Sequence, residues 1–284
     1  MTNPTVLITG GTGRSGRRVA DRVRASGAEI RIGSRSAAVP FDWHRSAGWA
    51  PVLSGCSAAY LCYSPDLALP GADDVMAAFT AAATRAGVNR LVLLSGRGEP
   101  AAARCERIVL GASADATVVR CSWFQENFSE HFLRDGVLVG RIAVPAGRVT
   151  EPFVSLDDVA DVAALALTGD ARAGEVLELT GPESIGFGRA ARLLSLAVGR
   201  EIAYEAVTGE AFVAELGAAG VDRDEAEGLA WLFDQVLDGR NSATTDTIER
   251  VLGRPATSFE EFARRAAAAG RWTPVPARVP AGWP

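Results

Sequence analysis

Not one lysine occurs in the 284 residues; all 29 basic side chains are arginine. That excludes any chemistry needing an ε-amino group: a Schiff base, a Walker-type phosphate lysine, or a Tyr-x-x-x-Lys acid pair. Histidine is nearly as scarce. His44 and His131 are too few and too far apart for a typical zinc site, so no metal is expected. The four cysteines, Cys56, Cys62, Cys105 and Cys121, show no CxxC or ligand spacing. Three of them sit among apolar neighbours and read as buried free thiols. No run approaches the ~20 apolar residues of a membrane span. The N-terminus has no basic region before its first strand, which predicts no secretory leader and a cytoplasmic protein. The net charge of −5 offers no basic surface for nucleic acid. The expected partner is a small molecule, with neither nucleic acid nor membrane, for a monomer or homodimer.

What is present begins at the first residues. Thr5-Val6-Leu7-Ile8 is a short apolar run suited to a buried parallel strand. Thr9-Gly10-Gly11-Thr12-Gly13-Arg14-Ser15-Gly16 follows, and Val19 and Val23 one turn apart then start a helix. Strand, glycine turn and helix open a dinucleotide-binding βαβ unit. Gly10 allows the turn, Gly13 lets a pyrophosphate approach the backbone, and Gly16 lets helix and strand pack closely. Thr12, Arg14 and Ser15 complete the phosphate end, where the helix N-terminus presents free N–H groups. The spacing is GxxGxxG rather than GxGxxG, which points to the short-chain reductase branch of such folds.

Helix one ends at Ser26-Gly27, and residues 28–33 form strand two, followed by Ser34-Arg35-Ser36. An acidic residue about 20 positions past the glycines would hold a ribose 2′-hydroxyl. Here Arg35 stands 19 residues after Gly16. Its planar fork suits a 2′-phosphate, so NADPH/NADP+ is expected rather than NAD(H). Residues 39–43 read as a third strand, with Asp42 and Trp43 near an adenine; 57–62 as a fourth, ending at Tyr63-Ser64-Pro65. A helix over 73–86, a fifth strand at 90–96, a helix over 101–111 and a sixth strand at 116–121 follow. Past it comes an aromatic segment, Trp123-Phe124-Gln125-Glu126-Asn127-Phe128, running on to His131 and Phe132. Residues 137–144 and 148–154 are strand-like, and Ser155-Leu156-Asp157-Asp158 caps an apolar helix to Leu167. A strand at 176–179, a helix at 189–198, helical stretches from Glu210 and an irregular tail over 271–284 complete the chain.

The β-α alternation predicts an α/β fold: a Rossmann-like, doubly wound parallel sheet with a smaller, mainly helical C-terminal substrate-binding portion. The division expected is a cofactor-binding core over 1–150 with elements returned from 151–182, and a substrate-binding cap over 183–284.

These pieces resemble the NmrA-like, atypical short-chain dehydrogenase/reductases over nearly the whole chain. The carriers are GGTGRSG at 10–16, the Ser34-Arg35 strand end, Phe41-Asp42-Trp43 with Trp49, and Gly87-Val88-Asn89-Arg90-Leu91-Val92 leading to Ser95. Glu106, the 123–128 segment and Val154-Ser155-Leu156-Asp157-Asp158-Val159-Ala160 add to them. The FDW stretch is most similar to the branch with ergot-alkaloid and bacterial natural-product reductases. The resemblance implies a Rossmann core, NADP(H), and a substrate cleft between core and C-terminal portion. It leaves open an oxidoreductase or a cofactor-binding sensor without turnover.

The usual acid is missing. Ser95 stands where the family serine would, but the helix after it, Ala101-Ala102-Ala103-Arg104-Cys105-Glu106-Arg107-Ile108-Val109, holds neither tyrosine nor lysine. General acid catalysis is worth about 10²–10⁴-fold, whereas orientation supplies up to ~7–11 kcal/mol, so reduction survives the loss. Three routes stay open: a substrate carrying its own proton source, an iminium that needs only hydride, or another side chain such as Tyr63, His131 or Ser95 through water. Ser95 is the candidate hydrogen-bond donor to a carbonyl. The cofactor-binding candidates are Gly10, Thr12, Gly13, Arg14, Ser15, Gly16, Ser34, Arg35, Tyr63, Ser64 and Ser95. Trp123, Phe124, Gln125, Phe128 and His131 are expected to wall a flat polycyclic substrate. The reading is a ketone or quinone reductase of antibiotic-type secondary metabolism, with imine reduction and cofactor sensing as alternatives.

Overall fold

The computed structural model describes residues 5–169 and 173–273. In the first half the order is β1 (Thr5–Thr9), α1 (Arg14–Ala25), β2 (Glu29–Gly33), α2 (Trp49–Leu53), β3 (Cys56–Leu61), α3 (Ala72–Arg85), β4 (Arg90–Gly96), α4 (Pro100–Ala112) and β5 (Asp115–Cys121). Then come α5 (Asn127–Glu130), α6 (Arg134–Val139), β6 (Arg141–Val144), β7 (Thr150–Glu151), α7 (Leu156–Thr168) and β8 (Val176–Leu179). The chain continues as β9 (Ile185–Gly186), α8 (Phe187–Val198), β10 (Ala203–Ala206), α9 (Gly209–Ala218), α10 (Arg223–Val236), α11 (Thr247–Leu252) and α12 (Phe259–Ala268).

Six strands form one parallel sheet in the order β2-β1-β3-β4-β5-β8. Side chains alternate along each strand, so the sheet carries two cores. Leu7, Leu61 and Leu93 pack with Met76, Phe79 and Val109 of α3 and α4. Val6, Ile8 and Val92 pack with Val19 and Val23 of α1 and Leu167 of α7. Helices on both faces make this the doubly wound, Rossmann-like fold.

The strand expected at 39–43 is instead a loop. Phe41 and Trp43 are buried, and both rings pack edge-on against Phe79 at 5.6 and 4.7 Å. The Trp43 and Trp49 indoles donate to the carbonyls of Cys62 (3.1 Å) and Asp42 (2.9 Å). Aromatic anchoring thus replaces sheet pairing, and β2 is left at the edge. The strand-like reading of 137–144 also divides, because α6 ends at Gly140 in the left-handed conformation (φ +85°) before β6 begins. Over 148–154 only β7 and an isolated bridge from Phe124 to Val154 pair.

Ser155 caps α7 as its sequence indicates, accepting from Asp157 N–H at 3.1 Å. The buried Glu126 accepts from Leu156 N–H (2.8 Å) and so ties the aromatic segment to that helix. The cap has its own core around Phe128, Phe153, Phe187, Phe233 and Phe259, with β6 paired to β10 and β7 to β9. Core and cap interleave along the chain: α5 and α6 pack into the cap, whereas Ile248 of α11 returns to the core. Trp272, from the segment expected to be an irregular tail, is buried and donates to Phe128 O at 2.8 Å. The rest of that tail, from 274, lies outside the described residues. Among the described residues no helix is long and apolar enough to cross a membrane.

Candidate active site

Two cavities meet above the carboxyl ends of the strands, where ligands sit in open α/β sheets. The larger, about 880 Å³, runs from the β1–α1 turn past the end of β2 to the end of β3. The smaller, about 220 Å³, lies over the end of β4 and reaches the cap. Arg14, Cys62, Tyr63, Asp66, Leu94 and Phe124 line both, so the two share a wall.

The glycine turn shapes the larger groove. Gly10 adopts φ +62°, a conformation open mainly to glycine. At Gly16 a Cβ would lie 2.2 Å from Gly10 O, so only glycine lets α1 approach the turn this closely. α1 starts at Gly13 without a side-chain cap, leaving its first N–H groups facing the groove. Arg14 donates to Asn127 Oδ1 at 2.8 Å, linking the turn to α5. At the far end Arg35 is exposed and makes no hydrogen bond or ion pair among the described residues, with Ser34 beside it in the wall.

The smaller pocket has an aromatic side and an acidic side. Trp123 packs on Phe233 at 4.7 Å and, with Phe124 and Phe132, forms the first. Asp66 and Glu99 form the second. Burial raises the Asp66 carboxyl above its ordinary value. Burial, with Asp66 and Glu106 nearby, pushes the Glu99 carboxyl up to about 8. Ser95 is buried in the floor and donates to Glu106 Oε1 at 2.7 Å. Glu106 in turn accepts from Arg120 Nε at 2.9 Å.

No family model matches the chain. An uncharacterized oxidoreductase of Bacillus subtilis, YesF, is 32% identical over 287 residues, 95% of this chain and 97% of its own. Agroclavine dehydrogenase of Claviceps purpurea is 30% identical over 295 residues, 94% of this chain and 99% of its own. In fold, Citrobacter sp. triphenylmethane reductase complexed with NADP(H) superposes with a TM-score of 0.77 over 93% of this chain and 99% of its own, at 21% identity. The chain belongs to the NmrA-like, atypical short-chain dehydrogenase/reductase family. It is an oxidoreductase.

The groove of this reductase fits a phosphorylated dinucleotide. Its glycine cradle is closed to any Cβ at Gly16, an uncapped helix end faces the pyrophosphate position, and an unpaired guanidinium stands at the end of β2. Gly10, Thr12, Gly13, Arg14, Ser15, Ser34, Arg35, Tyr63 and Ser64 all line it, and Gly16 lies buried behind them. Trp43 lines it too, but as a packed core residue.

The second cavity gathers Ser95, Trp123, Phe124 and His131. Ser95 differs from its expected role in one respect: its hydroxyl proton points into Glu106, away from the cavity. His131 follows α5, half-buried, and burial with the Arg14 charge lowers its pKa to about 4, so it is neutral at pH 7. Its Nδ1 is buried without a partner. Gln125 and Phe128 are not in the wall. Gln125 donates to the carbonyls of Phe153 (3.0 Å) and Thr257 (2.9 Å), and Phe128 fills the cap core against Phe259 at 5.1 Å. Gln125 precedes α5 and spends its amide on the cap backbone, while Phe128, within α5, lies on the side turned to the cap core.

Asp66 and Glu99 were missed by the sequence reading. Each stands in a loop after a strand, with nothing in its spacing to distinguish it from a solvated carboxylate. Only the fold half-buries them and brings them to one cavity.

Proposed function

We propose that this reductase uses NADPH to reduce a carbonyl of a flat polycyclic aromatic substrate, a ketone or quinone. The observation that carries the reading is the wall the two cavities share: a groove fitted to a 2′-phosphorylated dinucleotide lies directly against an aromatic-walled pocket. Gly10, Gly13 and the α1 N-terminus hold the pyrophosphate, and Arg35 the 2′-phosphate. When bound, the cofactor supplies hydride. Trp123, Phe124 and Phe132 orient a planar ring system and exclude water from its face. Positioning carries most of the rate, as it must where no tyrosine–lysine pair exists.

A second reading, reduction of a C=N bond, is favoured by the acidic wall, since the protonated Glu99 can activate an imine nitrogen toward hydride. Relatives named for agroclavine and festuclavine, and one named NAD(P)H azoreductase, fit nitrogen-bearing substrates. The two are separated by following NADPH oxidation by the purified protein with polycyclic ketones, quinones and cyclic imines. Turnover of the carbonyl compounds supports the first reading. Turnover confined to imines establishes the second, and tight NADPH binding with no turnover at all refutes both.

A further inference from the structure

We propose that Glu99 is the proton donor of the reduction, seated on Gly96 beside Ser95, in the role left open by the missing tyrosine. The inference rests on the carbonyl-reductase reading and names the acid that reading lacks.

Position comes first. Glu99 closes the loop after β4 and its side chain lines the substrate pocket, whose wall is shared in part with the cofactor groove. Its carboxyl lies over Gly96, where a Cβ would come within 2.2 Å of Oε1, so glycine is what makes the seat. Among the described residues that carboxyl makes no hydrogen bond or ion pair. It is neither a helix cap nor part of a structural network, although it holds the N-cap position of α4.

Burial first, and then the surrounding charges, keep the proton on it. Asp66 faces it from the loop after β3, and Glu106 from α4. Arg97 is engaged elsewhere, by Glu178 at 2.8 Å and the Asn241 and Ala243 carbonyls. Further along α4, Arg104 pairs with Asp73. Across the pocket Arg14 donates to Asn127, and His131 is uncharged near neutral pH. With its pKa near 8 the Glu99 carboxyl is protonated at pH 7 and close to the value that best serves a general acid. Its rivals are weaker. Ser95 spends its proton on Glu106, burial raises Tyr63 above the ordinary phenol value while its ring packs on Trp43, and His131 is held to about 4.

The step balances. Hydride from the reduced nicotinamide forms the new C–H bond as the C=O π pair moves to oxygen. That oxygen takes the proton from Glu99, giving an alcohol and a carboxylate, and water restores the proton.

Two probes separate this from other roles. Reduction of 9,10-phenanthrenequinone needs a proton; reduction of the N-methyl-3,4-dihydroisoquinolinium cation needs hydride alone. Glu99→Gln should lower kcat on the quinone about 10²-fold or more and spare the iminium. Glu99→Asp should restore part of the loss. The wild-type quinone rate should fall above about pH 8, and that limb should vanish in Glu99→Gln. Independently of turnover, infrared difference spectra of resting wild type against Glu99→Gln at pH 7 should show one protonated carboxyl in the wild type only. Equal losses on both probes, or no such band, overturn the acid. Failure of the wild type on both probes overturns the reductase reading beneath it.

Discussion

Gly16→Ala tests the construction of the groove at its tightest point. The added Cβ would lie 2.2 Å from Gly10 O, 2.6 Å from Gly10 C and 2.8 Å from Gly11 Cα. Real contacts of this kind do not fall below 3.0 Å, so α1 and the turn must part by 0.8 Å or more. All three neighbours are backbone, and no side chain can swing aside. Overpacking of this type costs about 1–3 kcal/mol. At about 2–4 °C per kcal/mol in chains of 150–250 residues, Tm should fall by about 2–12 °C. The same shift moves the α1 N–H groups off the phosphates. Losing one charge-assisted hydrogen bond, about 1.5–3 kcal/mol, weakens NADPH about 10- to 100-fold. Thermal melts and cofactor titration read both effects. Gly217→Ala on α9, where nothing lies within 4 Å of the new Cβ, is the control and should gain about 0.4–1 kcal/mol. A Gly16→Ala protein with wild-type Tm and NADPH affinity would refute the close-approach argument.

Arg35→Ala should weaken NADPH about tenfold or more while leaving NADH unchanged; equal losses in parallel titrations would remove the phosphate site from Arg35. Ser95→Ala should keep activity but lower stability by about 1.5–3 kcal/mol, because buried Glu106 loses a donor; complete inactivity in a folded protein would restore Ser95 to the chemistry. Trp123→Ala should raise KM for polycyclic probes about tenfold without changing NADPH affinity, since it removes an aromatic wall and touches no part of the groove. Gly96→Ala should unseat the Glu99 carboxyl and depress quinone turnover with the melt unchanged, because the group it displaces is the free end of a flexible side chain.

The groove was legible in the sequence because backbone constraint writes itself as residue type. Gly10, Gly16 and the spacing to Arg35 follow from turn geometry, close packing and strand length, which are local. The sheet was legible for a similar reason, since residues 6–8 and 91–93 are apolar on both faces. The stretch at 39–43 misled because Phe41 and Trp43 satisfy a strand pattern as well as an aromatic anchor. Which applies depends on Phe79, 36 residues beyond Trp43. Gln125 and Phe128 misled in the same way: the segment reaches the pocket, but the cap core decides which side chains turn inward. Glu99 was illegible altogether. Its seat over Gly96 and the cavity it shares with Leu229 and Leu232 of the cap arise only in the fold.

Hydride transfer itself is tested most directly by isotope. NADPH carrying deuterium at C4 on one face, then on the other, is turned over with 9,10-phenanthrenequinone and with a polycyclic ketone. Mass spectrometry then reads the product carbon. The account predicts that the ketone's new C–H bond carries the label from one face only, with oxidised cofactor formed in equal amount. Cofactor oxidation that leaves the ketone product unlabelled, or no oxidation with any polycyclic substrate, would contradict it.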